Sequence, residues 1–288
     1  MMETGTFATD SATKLLQRLA FQVHHARQAG DEEAVHDLRV AIRRFGQSLM
    51  LFKGVFAGKE LKKIRRRLKE LMKLTNEPRD CDVGIELLSE SGLPGVAAVI
   101  EQLRTRRKET MQLLAPELRR WRARKTSSKW RAALTPNGNG HTPLEDTARA
   151  RLPKVVKKFL KDGGRAASAD DLHQVRIEGK KLRYSLELLE PVYGPAVTGW
   201  IEKVKDVQTQ LGKANDCRAT RLLVADIGGA EEIEDWLKKK QRKKTREFRE
   251  QWETTANELR QIVALMKNPT PRKPVARSAR PAKTALRA

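Results

Sequence analysis

The sequence predicts an all-α protein: duplicated helical halves packed as one domain with pseudo-two-fold symmetry. Three observations carry that expectation. Helix-forming residues dominate the chain while Gly and Pro gather at a few points. No apolar/polar alternation of period two, bounded by turn residues, marks a strand outside the connectors. Two motif segments recur at a near-constant spacing, the mark of an internal duplication.

Taken in order, residues 1–10 form a flexible start, and apolar periodicity places helices at about 11–29, 32–53, 59–76, 80–90 and 95–132. Pro116 starts or kinks the later part of the last one, because its ring lacks the backbone donor that a helix interior needs. The run TPNGNGHTP, Thr135 to Pro143, is a linker. Helices follow at about 144–162, 169–190, 196–212, 215–227 and 230–266. The helical domain is thus expected over 11–267, with halves of about 11–134 and 144–267 joined by 135–143. Asp31, and Ser168 with Asp171, are suited to cap the helices that follow them. From Asn268 to Ala288 the chain has six Lys/Arg, four Pro and no acid, the composition of a disordered basic tail.

The duplication is visible residue by residue. At an offset of 137, Val35 to Phe52 lies over Leu172 to Leu189, matching His36 to His173, Arg39 to Arg176, Arg43 to Lys180 and Arg44 to Lys181. At an offset of 136, Arg79–Asp82 (RDCD) lies over Asn215–Arg218 (NDCR). Within the first segment Ile42 faces Gly179 and Gly46 faces Arg183, so the copies have diverged.

Charge narrows the function classes. The 288 residues hold 59 Lys+Arg against 36 Asp+Glu, a formal +23, with 39% hydrophobic residues to supply a core. Such a chain is soluble, folded and drawn to polyanions. Cys81 and Cys217 stand far apart with no metal-ligand spacing, which argues against structural zinc and a disulfide framework and fits a reducing cytosol. The N-terminus lacks the pattern of a signal peptide, and no stretch approaches the roughly 20 apolar residues of a membrane span.

How the charges lie on the helices is more informative. At 100° per residue, His36, Arg39 and Arg43 share one side of their helix while Leu38, Ile42, Phe45 and Leu49 share the other. In the second copy His173, Arg176, Lys180, Arg183 and Tyr184 form a stripe opposite Val175, Leu182 and Leu186. A solvated helix face explains one such pattern. Two copies with like charges at i, i+4, which repel unless an anion or carboxylate intervenes, point to a partner. The next helix adds Lys62, Arg66, Lys69 and Lys73 opposite Leu61, Ile64, Leu68 and Leu71, whereas its counterpart offers only Lys203 and Lys205, so an asymmetric surface is expected.

The His-x-x-Arg-x-x-x-Arg/Lys-Arg/Lys helix, the Arg/Asn-Asp-Cys motif and their duplication resemble the CHAD family, the conserved histidine α-helical domain, over about residues 11–266. The resemblance implies a helical domain whose basic inner surface binds inorganic polyphosphate. The matching positions are His36, Arg39, Arg43 and Arg44, and His173, Arg176, Lys180 and Lys181. Thr75-Asn76 departs from the pattern that Leu211-Gly212 keeps in the second copy.

Single residues carry paired readings. His36 and His173 either donate to phosphate oxygens, more strongly when protonated, or bridge helices. Asp80 and Asp216 suit helix N-caps or partners orienting the motif arginines, rather than catalytic acids. Cys81 and Cys217 suit small buried positions. Trp121, Trp130, Trp200, Trp236 and Trp252 fit a core, and His24-His25 point to different faces. The eight Lys/Arg between Lys238 and Arg249 are partly a solvated face and partly a candidate wall of a basic groove.

The expectation is a non-enzymatic polyphosphate-binding module without cofactor or metal. Its candidate binding residues are His36, Arg39, Arg43, Arg44, Lys62, Arg66, Lys69, Lys73, His173, Arg176, Lys180, Lys181, Arg183 and Tyr184. It is expected in the cytoplasm, associated with polyphosphate granules. The competing reading is weak nonspecific nucleic-acid binding through the basic surface and tail; aromatic content of only 5% gives little for base stacking. Phosphoanhydride chemistry lacks a phosphate loop or an alternating Glu-x-Glu-x-Lys pattern to support it.

Overall fold

In a computed structural model, residues 2–137 and 140–267 are described; the tail expectation at 268–288 lies outside them. The described residues form ten helices: α1 (Thr4–Gln28), α2 (Glu32–Leu51), α3 (Gly58–Leu74), α4 (Asn76–Ser89), α5 (Val96–Ala123), α6 (Thr126–Ala133), α7 (Leu144–Gly163), α8 (Ala169–Tyr193), α9 (Ala196–Val224) and α10 (Glu231–Lys267). Among the described residues, extended pairing is limited to isolated bridges of Glu3 with Pro143 and Phe56 with Pro136.

Four expectations need correction. The start expected to be flexible is helical from Thr4 onward: α1 begins there, the Thr4 N–H donates to the Thr142 carbonyl (2.9 Å) and its hydroxyl meets that of Thr147 (2.8 Å). Ala8 and Ala12 are fully buried, so packing rather than local periodicity extends this helix. The expected helix at 95–132 is divided at Lys125, whose backbone is left-handed (φ 49°), while Pro116 sits inside α5 without ending it. Trp121 holds the returning α6 by donating Nε1–H to Ser127 (2.8 Å) and packing edge-on against Trp130. The expected break between 212 and 215 is absent, because α9 runs straight through Gly212.

Pro78, which has no backbone donor, stands where the second half has Ala214; α3 ends at Leu74 and α4 restarts at Asn76, whereas α9 continues. Asp80 and Asp216 are therefore interior helix residues and cap nothing. Asp31 and Ser168 do cap, the latter in a reciprocal capping box with Asp171.

Apolar burial divides into two clusters. The larger joins α1, α2, α3, α6, α7 and α8 with parts of α5, α9 and α10, through Phe45, Phe52, Phe159, Leu182 and Leu186 among others. The smaller joins α4, the start of α5, the end of α9 and the start of α10 around Cys81, Leu103, Cys217 and Leu237. Both cysteines are free thiols there, and burial pushes the Cys81 thiol up to about 11 and the Cys217 thiol up as well. Trp121, Trp200 and Trp252 are buried, while Trp130 and Trp236 pack at the margins.

Two glycines fix helix approach. A Cβ on Gly163 would lie 1.9 Å from the Trp252 ring, so the end of α7 can meet α10 only without a side chain there. Gly179 lets Phe159 come close, at the position where α2 instead fills the core with Ile42.

Candidate polyanion-binding site

The two apolar clusters meet at a layer of charge. Because α2 buries Leu38, Ile42, Phe45 and Leu49, and α8 buries Val175, Leu182 and Leu186, their opposite sides bring Arg39, Arg43, Arg176 and Lys180 toward α4 and α9. Those helices contribute Arg79, Asp80 and Asp216. Four arginines and Lys180 thus gather with two carboxylates, and all seven side chains are half-buried.

Neutral acceptors hold part of this charge in place. Arg39 Nη1 donates to Thr75 Oγ1 (3.0 Å) and Asn76 Oδ1 (2.8 Å). Arg176 lies 3.9 Å from Asp216, too long for a hydrogen bond, and its buried Nε has no partner among the described residues. Arg79 is tied to Glu32 at 2.8 Å.

Electrostatics here is unfavourable to the charged forms. Burial, then Arg43, lowers the Arg39 guanidinium to about 9, where it remains charged at neutral pH. Burial, then Arg176, Arg43 and Arg39, lowers the Lys180 ammonium to about 5. Arg43 is lowered by burial and partly supported by the Tyr184 hydroxyl. Burial raises Asp80 and Asp216 in spite of the neighbouring arginines. Cations crowded this closely in a partly desolvated layer are relieved by an incoming anion.

The histidines part company. His173 Nδ1 meets Asn215 Oδ1 at 2.8 Å and bridges α8 to α9. His36 is exposed and makes no hydrogen bond among the described residues; burial of part of its ring and the charge of Arg79 lower its pKa. The cause is in the repeat, where Arg79 occupies the position of Asn215.

The other predicted residues lie around this centre. Arg44 pairs with Glu187 (3.0 Å), and Lys181 with the buried Glu178 (2.7 Å), so neither joins the cluster as a free cation. Arg183 donates to the Tyr184 hydroxyl (3.2 Å) and lies over its ring, 3.6 Å from Glu187. Lys62, Arg66, Lys69 and Lys73 are exposed on α3; only Arg66 has a carboxylate near, Glu70 at 3.9 Å. Their counterparts are neutralised, Lys203 by Glu258 and Lys205 by Glu202. Sequence reasoning assigned no role to Arg79, Thr75, Asn76 or Asn215. Arg79 could have been found from its place in the duplicated motif, whereas Thr75 and Asn76 looked like mere divergence.

Among the described residues no group of three or more His, Cys, Asp or Glu could hold a metal ion, and no helix is long and apolar enough to cross a membrane.

The family model for the CHAD domain matches residues 11–225, and the chain belongs to that family. Its fold is similar to that of the CHAD domain from the plant Ricinus communis, with a TM-score of 0.69 and 19% identity over 92% of each chain. It is also similar to PptA from Streptomyces chartreusis, with a TM-score of 0.65 and 15% identity over 90% of this chain and 100% of that one. Comparison with curated proteins gives no match.

Proposed function

We propose that the protein binds inorganic polyphosphate without transforming it, in the charged layer where α2 and α8 meet α4 and α9. One observation carries this reading: Arg39, Arg43 and Arg176 crowd with Lys180 beside Asp80 and Asp216 in a half-buried site, with Arg79 next to them already held by Glu32. A string of phosphates supplies the missing negative charge in a narrow, flexible form. Arginine forks its donors to phosphate oxygens and lysine supplies point charge, with no aromatic platform needed, since the ligand has no bases. The exposed lysines of α3 extend the basic surface beyond the layer. Membership of the CHAD family, for which the motif resemblance implies polyphosphate binding, supports the same ligand. Asp80 and Asp216 serve here as counter-charges to the arginines rather than as acids or bases.

Competition tests the ligand class. In physiological salt, labelled long-chain polyphosphate is expected to be displaced by unlabelled polyphosphate at far lower phosphate concentration than by duplex DNA or single-stranded RNA. Equal displacement by nucleic acid at matched phosphate would assign the surface to general polyanion binding.

A further inference from the structure

Away from the four-helix layer, a cleft of about 520 Å³ opens where the start of α8 meets α9 and α10. Arg221 from α9 and Lys238, Arg242, Arg246 and Arg249 from α10 line it, and no carboxylate does. Arg249 donates to the Ala167 carbonyl (2.7 Å) and Arg246 lies 3.6 Å from Glu250. Arg221, Lys238 and Arg242 make no ion pair among the described residues. The acids nearest in sequence are already engaged, Asp171 by the capping box and Asp170 by Arg218. Lys238, Arg242 and Arg246 follow at i, i+4, i+8, a spacing that repels itself without an anion. The contrast within the molecule is clear: the cleft between α4, α5 and the end of α9 is lined by Glu77, Glu101, Glu109 and Asp226 against a single cation, Arg106, paired with Glu77.

The cationic cleft also lies along the track of the charged layer. Ala169 and Leu172, which line it, share one face of α8 with Arg176 and Lys180 at i, i+3, i+7, i+11. Leu172 and Lys180 are about 12 Å apart along the helix axis. Four of the five cations come from α10, beyond residue 225 where the family match ends.

We propose that this cleft is a second anchor for the polyphosphate chain held in the four-helix layer, so that chains long enough to reach both bind more tightly than short ones. This rests on the polyphosphate reading above. Once a long chain occupies the layer, its continuation meets the cleft at a high effective concentration, whereas a short one occupies the layer alone.

The test compares tripolyphosphate with long-chain polyphosphate on the full chain and on an Arg221→Gln, Lys238→Gln, Arg242→Gln variant. The expected result is a loss of at least about tenfold in long-chain affinity with a shallower salt dependence. Tripolyphosphate affinity should change less than about twofold, at an unchanged melting temperature. Because Lys238 and Arg242 are exposed, the double variant at those positions keeps the readout if Arg221→Gln disturbs folding. Undiminished long-chain affinity, or equal losses for both ligands, would overturn the second anchor while leaving the polyphosphate reading in place. If the unaltered protein binds neither polymer, that reading falls and the anchor falls with it.

Discussion

The two motif helices, α2 and α8, carry the same residues at equivalent positions and place them in different surroundings. His173 is fastened to Asn215, while His36 has Arg79 at the position of that asparagine and makes no hydrogen bond among the described residues. Burial lowers both Arg43 and its counterpart Lys180, but Arg43 is supported by Tyr184 whereas Lys180 also faces three arginines and is pushed down to about 5. Lys62, Lys69 and Lys73 of α3 make no ion pair among the described residues, while Lys203 and Lys205 are paired. Duplication conserved the helix faces, and divergence of the residues facing them decided which copy holds structure and which leaves charge available.

The largest expected effect sharpens the contrast between Arg43 and Lys180. Replacing a buried ionisable side chain that lacks a compensating partner with an apolar one of similar size removes its desolvation cost and is often stabilising by about 1 to 4 kcal/mol. Lys180→Met is therefore expected to raise stability in denaturant melts at pH 7, and Arg43→Met to raise it less or lower it. The pH dependence follows with a definite sign. With its native pKa at about 5, below the ordinary 10.5, Lys180 binds fewer protons folded than unfolded across that window. It thus makes stability rise with pH through that window, and the variant loses this slope. Identical stability–pH curves for Lys180→Met and the parent would remove the distinction.

The asymmetry of the outer surfaces comes next. Neutralising Lys62, Lys69 and Lys73 to Gln is expected to weaken polyphosphate binding by a few tenths to about 1 kcal/mol per side chain and to flatten its salt dependence. Lys203→Gln with Lys205→Gln should change affinity by less than one such step. Equal losses in salt titrations of the two variants would show that ion pairing on the second surface does not withdraw it from binding.

The smallest effect separates the histidines. His173→Ala removes a partly buried hydrogen bond and is expected to cost about 1 kcal/mol of stability, with normal affinity in the folded fraction. His36→Ala should leave the melting temperature unchanged and weaken binding only toward acid pH, where an anion favours the protonated ring. A stability loss at His36 equal to that at His173 would contradict the split.

How far this was legible in the sequence depends on whether the cause is local. The helix faces of α2 and α8 follow from the 3.6-residue period, so Arg39 and Arg176 could be placed opposite Leu38 and Val175 before any packing was known. The N-terminal extent of α1 could not, because it rests on the bonds from Thr4 to Thr142 and Thr147, more than 130 residues away in sequence. The break expected between 212 and 215 is one that α9 does not make, because packing on both sides outweighs a cost of about 1 kcal/mol for the helical Gly212. The acceptors at Thr75 and Asn76 were hidden for a related reason: their role exists only once α4 is folded against α2.

The central claim is that the arginines of the charged layer hold ligand rather than the fold. Measuring melting temperature and long-chain polyphosphate affinity together for Arg39→Gln with Arg176→Gln tests it most directly. Affinity is expected to fall by roughly 1.5 to 3 kcal/mol for each charge-assisted contact that loses water in the complex. The melting temperature should hold or rise as repulsion with Arg43 is relieved. A markedly lower melting temperature with normal affinity in the folded fraction would make Arg39 and Arg176 structural and contradict the assignment.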